Sequence, residues 1–162
     1  MKQITFIRHA KSNHIMGLRD HDRPLNDRGL IDAPLMSERL KAEFFKPDIF
    51  FSSTALRALT TAELIRNGID PLIPLEEHTL LYHAFINDYT SFIHQVDDSL
   101  SHIVIVGHNP TITLMVNLLA RDNVTESMPT CCIVSLAFEN CDSWNAISPH
   151  TGTIVRYAFP GQ

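Results

Sequence analysis

At 162 residues, with 44% hydrophobic and 19% charged side chains, the chain has the composition of a soluble globular protein large enough to bury a core. A net charge of −5 argues against general nucleic-acid binding, which rests on a basic surface, and no apolar run approaches the ~20 residues of a membrane span. The N-terminus reads as a strand rather than a signal peptide, so the expectation is one domain over residues 1–162, in the cytoplasm, with no nucleic-acid or membrane partner.

Gln3 to Arg8 reads as a first strand that ends in a cation and an imidazole, Arg8-His9, followed by Ala10-Lys11-Ser12. The polar stretch from Leu18 to Arg28 is predicted to be a surface loop. Ala33, Met36, Leu40 and Phe44 then recur at helical spacing, and Pro34 suits only a first turn, so the helix is expected to start near Asp32. Pro47-Asp48 breaks the chain before a short apolar strand, Ile49-Phe50-Phe51, which runs into Ser52-Ser53-Thr54. Those hydroxyls suit the N-cap of a helix from Ala55 to about Arg66, closed by Asn67-Gly68.

A proline-punctuated segment follows, with a short strand expected around Leu72 to Leu75 and a helix over Asp88 to Val96. His102 to Val106 is a β-branched strand ending at Gly107-His108-Asn109-Pro110. There Asn109 suits an N-cap and Pro110 the first turn of a helix over Thr111 to Ala120. Two strands close the chain, Cys132 to Phe138 and Thr153 to Phe159. Strands alternating with helices predict an α/β fold, a three-layer α/β/α sandwich whose mainly parallel central sheet carries helices on both faces.

Ligands in such sheets bind beyond the carboxyl ends of the strands. Three strands end in residues suited to phosphate chemistry: Arg8-His9 after the first, Arg57 inside the helix after the second, and His108 after the fourth. Arginine offers a planar fork of donors matched to phosphate oxygens, and a neutral histidine can act as a nucleophile. Arg8, Lys11, Arg19, Arg23 and Arg57 could together make a local positive pocket on this acidic chain.

Taken in order, Arg8-His9, Ser52…Arg57-Ala58…Thr61-Ala62 and Gly107-His108-Asn109-Pro110 resemble the phosphoglycerate-mutase-like histidine phosphatase superfamily. Ile7 to Ser12, Asp22-Arg23-Pro24-Leu25…Arg28-Gly29, Met128-Pro129-Thr130 and the short length resemble its SixA-type phosphohistidine phosphatases. The resemblance implies that His9 is the nucleophile of a covalent phosphohistidine intermediate, with Arg8, Arg57 and His108 holding the phosphoryl oxygens and Ser12 assisting. It implies a phosphorylated protein substrate or a small phosphorylated compound, and a place in signal transduction.

The sequence departs from the family pattern in two ways. Ala10 stands where the motif usually has glycine, and no glutamate near Leu80 to Tyr89 supplies the general acid of the larger members. Asp88 is a poor match, and Asp20 or Asp22 in the loop after the first strand are the candidate proton donors. A weak acid suits a leaving group that carries its own proton, as the imidazole of a phosphohistidine does.

No metal or cofactor is expected. The nine histidines form no HExxH, and the pairs His9/His14 and His78/His83 have spacing unsuited to a helix face or a zinc hairpin. Cys131 and Cys132 are adjacent, so they face opposite sides of a strand, and the three cysteines read as free thiols. None of them begins the Cys-x5-Arg of a cysteine phosphatase. Asp20-x-Asp22 only superficially matches an aspartate phosphatase, because no apolar strand leads directly into it. A broad phosphomonoesterase or small mutase on the same scaffold is the nearest alternative, and a non-catalytic phosphate-binding module would need only the cations.

Overall fold

The computed structural model describes residues 1–162. Six strands form one sheet: β1 (Lys2–Arg8), β2 (Ile49–Ser53), β3 (Leu75–His78), β4 (His102–Gly107), β5 (Ile133–Phe138) and β6 (Thr153–Ala158). Their spatial order is β3-β2-β4-β1-β5-β6. The first four run parallel, while β5 is antiparallel to both β1 and β6, so the sheet is mixed but mostly parallel.

Helices α1 (Asp27–Ala42) and α2 (Leu56–Ile69) cover one face; α3 (Ile86–His94) and α4 (Thr111–Leu119) cover the other. The alternation of β-strand side chains supplies both cores. On β4, Val104 and Val106 join Ala33, Met36 and Leu40 of α1 and Ala58, Ala62 and Ile65 of α2. Ile103 and Ile105, one residue out of phase, join Tyr89, Ile93, Ile112, Met115 and the fully buried Trp144 on the opposite face. None of the helices is long and apolar enough to cross a membrane.

Several boundaries differ from the sequence expectation, each for a local reason. Helix α1 starts at Asp27, not Asp32, because Asn26 caps it with a side-chain oxygen that accepts from the Gly29 N–H at 2.9 Å. Pro34 therefore lies inside the helix, where it removes the bond to the Leu30 carbonyl. Leu30 is on the exposed face, so water can replace that bond. The third strand is Leu75–His78 rather than Leu72 to Leu75: Leu72 is 87% exposed, and the real strand is mostly polar because it pairs on one side only.

Helix α2 has Ala55 at its N-cap, and Asn67-Gly68 does not close it but lies within it. Gly68 is required by packing: a Cβ there would sit 2.9 Å from the Ser37 Cβ, so α1 and α2 could not approach as they do. Asn109 is not the cap of α4 either. Pro110 takes that position, and the Asn109 side-chain oxygen accepts from the Thr113 hydroxyl at 2.7 Å.

Candidate active site

The carboxyl ends of the three central strands lie side by side. Arg8 is in register with Gly107, and Ser52 with Val106, so His9, Ser53 and His108 emerge along one edge. The turn after β1 is braced on several sides. The His9 N–H donates to the Gly107 carbonyl at 3.1 Å, and the Cys131 N–H donates to the His9 carbonyl at 3.1 Å. The Ala10 N–H donates to the Thr61 hydroxyl at 3.0 Å, and that hydroxyl donates to the Arg57 carbonyl at 2.7 Å. Thr61 thus fixes the turn relative to α2. The Ala10 methyl is fully buried, and the site accommodates it in place of glycine.

His9 is 8% exposed. Its Nδ1 lies 2.7 Å from the Ala10 carbonyl. A carbonyl only accepts, so Nδ1 carries the hydrogen of the neutral ring and Nε2 keeps a bare lone pair. The Arg57 Nε–H points at that lone pair from 3.3 Å. Burial, together with the nearby cations Arg57, Arg8 and Arg23, pushes the His9 pKa down to about 4. His9 is therefore uncharged at neutral pH, the state in which an imidazole can act as a nucleophile.

Arg57 is the second residue of α2, beside the free N–H groups that make a helix N-terminus favourable to anions. Its guanidinium is nearly buried and donates through Nη1 to the Asp20 carbonyl at 2.7 Å and through Nη2 to the Asp20 carboxylate at 3.0 Å. Arg8 holds the Met128 carbonyl through Nη1 at 2.7 Å, while its Nε is buried and unpaired. The His108 ring lies 5.2 Å from the His9 ring, centre to centre. Its Nε2 is 2.8 Å from the Ser53 hydroxyl, which also accepts from the Ala55 N–H. The other ring nitrogen, Nδ1, is buried and unpaired. Burial, then His9 and Arg57, push the His108 pKa down to about 3.

These side chains line one pocket of about 390 Å³, with Arg8, His9, Arg57 and His108 joined by Lys11, Ser12, Arg23, Asn109 and Thr130. No three His, Cys, Asp or Glu side chains are grouped so as to hold a metal ion. A second groove, about 680 Å³, shares Arg57, His108 and Asn109 with the pocket and runs out between Tyr82, Phe85, Pro110 and Leu114.

Of the candidates named from sequence, Arg8, His9, Arg57, His108 and Ser12 converge here. Ser12 accepts from Arg23 Nη2. Asp20 meets Arg57, whereas Asp22 lies outside the pocket and is paired with Arg19 at 2.7 Å. Asp88 caps α3, its carboxylate accepting from the Phe85 N–H at 2.7 Å. Among the suggested cations Arg19 stays outside, its side chain 82% exposed. Sequence reasoning missed Tyr82, whose hydroxyl donates to Asp20 at 2.7 Å, and misread Ser53 as a helix cap. Nothing local marked Tyr82; Ser53 was visible only as a hydroxyl at a strand end.

A buried imidazole, two arginines and a second imidazole converge at the strand ends of a three-layer α/β/α fold of the phosphoglycerate-mutase-like class. The chain belongs to the histidine phosphatase superfamily (branch 1), whose sequence profile matches residues 4–88, and so to a class of phosphatase enzymes. An uncharacterized protein of Mycobacterium tuberculosis is 32% identical over 163 residues, covering 95% of this chain and 99% of that one. Among solved structures, an Agrobacterium tumefaciens protein assigned as the phosphohistidine phosphatase SixA has a TM-score of 0.83 at 23% identity, covering 99% of both chains. The protein histidine phosphatase SixA bound to tungstate gives 0.82 at 19% identity, covering 98% of this chain and 97% of that one. A mycobacterial glucosyl-3-phosphoglycerate phosphatase gives 0.66 at 13% identity, covering 98% of this chain and 97% of that one. At such identities these likenesses show the fold.

Proposed function

We propose that this phosphatase removes phosphate from phosphohistidine on a partner protein, without a metal, through a phosphohistidine intermediate on His9. One observation carries the chemistry: the bare Nε2 lone pair of His9, held by the Ala10 carbonyl at its other nitrogen and faced by the Arg57 N–H.

In the first step His9 Nε2 attacks phosphorus and the bond to the substrate's imidazole nitrogen breaks. In the second, water attacks the phosphorylated His9, releasing inorganic phosphate and restoring the imidazole. The transition states are loose and charge-rich, so catalysis is chiefly positioning and electrostatics. Arg57, the unpaired Arg8 Nε–H and the His108 ring supply polar contacts for the equatorial oxygens. One cation about 4 Å from an anion is worth about 4 kcal/mol at an effective dielectric near 20. Two arginines can thus stabilise a dianion on this scale.

The substrate class follows from the acid. Although partial burial pulls the other way, hydrogen bonds from Tyr82, Arg57 and Arg23 hold the Asp20 carboxyl well below the usual carboxylate range. It is an acceptor at working pH, with no proton to give an alkoxide. A protonated phosphohistidine imidazole leaves without such help. The apolar groove beside His108 favours, as a second reading, a small phosphomonoester with a good leaving group.

Initial rates on a histidine-phosphorylated protein and on a panel of phosphomonoesters separate the two. A strong preference for monoesters would reject the phosphohistidine reading. His9→Ala should abolish turnover of the preferred substrate with the fold intact, vanadate should inhibit, and activity should survive EDTA.

A further inference from the structure

Asp20 was a candidate proton donor, yet its carboxylate sits on the arginine that the phosphoryl group needs. We propose that Asp20 is an internal competitor for the phosphoryl group: its carboxylate occupies the Arg57 fork, and the substrate binds by exchanging with it. The proposal rests on the reading that Arg57 binds phosphoryl oxygens.

Every nitrogen of the Arg57 guanidinium is engaged. Nε faces His9 Nε2 at 3.3 Å, Nη2 donates to Asp20 Oδ2 at 3.0 Å, and Nη1 donates to the Asp20 main-chain oxygen at 2.7 Å. Nε and Nη2 make up one edge of the planar fork, the edge that binds two oxygens of a phosphate side by side. Asp20 Oδ2 therefore shares an edge with the nucleophile's lone pair, where a phosphoryl oxygen belongs when His9 attacks.

Two further donors keep the carboxylate there. The Tyr82 hydroxyl donates to Oδ2 at 2.7 Å, and Arg23 Nη1 donates to Oδ1 at 2.8 Å. Tyr82 comes from the segment between β3 and α3, and Arg23 from the loop after β1, so the carboxylate is held from two separate parts of the pocket wall.

The partners differ in their freedom to move. The Arg57 side chain is 8% exposed and fixed in the first turn of α2, whereas that of Asp20 is 44% exposed on the single 3-10 turn Asp20–Asp22. Exchange can therefore proceed by the carboxylate turning out to solvent while Arg57 stays in place and no helix or strand is disturbed. Arg23 can keep its hold on Asn13 and Ser12 throughout. One functional result is weak retention of inorganic phosphate, because the carboxylate re-enters as the product leaves.

The test is Asp20→Asn, with inorganic phosphate alone as the probe. Calorimetric titration should show phosphate bound about fivefold more tightly than by the unaltered chain (~1 kcal/mol by the relation between affinity and free energy), and KM should fall in parallel. Tyr82→Phe, which loosens the carboxylate without removing its charge, should shift affinity the same way by about twofold, less than ~1 kcal/mol. Unchanged or weaker phosphate binding by Asp20→Asn would overturn the proposal and make Asp20 a prop for Arg57. A lower kcat on phosphomonoesters at unchanged phosphate affinity would overturn it in favour of a proton donor. Phosphate binding does not depend on which phosphorylated compound is the substrate, so a failed phosphohistidine assay leaves this result standing. If neither the unaltered chain nor Asp20→Asn bound phosphate, the site reading itself would fall.

Discussion

The ionisation of His9 offers the sharpest check on the site, because burial and three cations act on it together. An ordinary histidine titrates near 6.5, and His9 is placed at about 4. That difference corresponds to ~3 kcal/mol of preference for the neutral ring. The tautomer is fixed as well, with hydrogen on Nδ1 and a lone pair on Nε2. At pH 5.5 a free histidine is only about one-tenth neutral, whereas His9 should be neutral in nearly every molecule. Long-range nitrogen–proton correlation spectra of isotopically labelled protein, recorded from pH 7.5 to 4, report both features. The His9 resonances should keep the Nδ1–H pattern down to pH 5 and begin to change only near pH 4. Arg57→Gln should raise the midpoint yet leave it below 6.5, since burial is the largest cause of the shift. A His9 midpoint near 6.5 in the unaltered chain, or a spectrum of the Nε2–H form, would refute the assignment of a prepared nucleophile.

Three other outcomes follow from the same structure. His9 and His102 are held near 4 and His108 near 3, in each case chiefly by burial. The unfolded chain therefore binds protons first as pH falls below 6.5, and stability present above that pH should be lost towards pH 4, by up to ~1.4 kcal/mol per pH unit for each ring. Urea midpoints that stay flat between pH 6.5 and 4.5 would contradict this. Ser53→Ala removes the hydroxyl facing His108 Nε2. It should lower kcat/KM about five- to tenfold, the loss of a hydrogen bond worth ~1 kcal/mol, with a circular-dichroism melt showing a folded protein; an unchanged kcat/KM would exclude a positioning role. Burial pushes the Cys131 and Cys132 thiols up to about 12, while Cys141 is partly exposed. A thiol reagent at pH 8 should label Cys141 rapidly in the native protein and all three cysteines only in denaturant, and fast native labelling of Cys132 would show that the β5 face opens.

Local signals carried much of the fold. Strand ends at Arg8 and Gly107, uninterrupted β-branched runs and the alternation with helices marked a mostly parallel sheet, because side-chain periodicity and residue type act within a few positions. Where a neighbouring element decides, the local reading shifted. Pro34 argued for a late start to α1 until the Asn26 cap outweighed it, and polar Leu75–His78 is a strand only because β2 offers a free edge. Gly68 reads as a helix stop, yet its absent side chain serves contact with Ser37 on another helix.

The sequence by itself determined the candidate groups: a histidine and arginine after one strand, an arginine in the helix after another, a second histidine after a third. The sheet order brings those strand ends together, but their residue types were legible beforehand. Only the tertiary structure decided how they are prepared. The His9 tautomer depends on where one carbonyl points, and the engagement of Arg57 by Asp20 and Tyr82 joins Asp20 to partners 37 and 62 residues away. Hydrogen bonds extend about 3 Å, so protonation and charge pairing are set by spatial neighbours that no short-range pattern encodes.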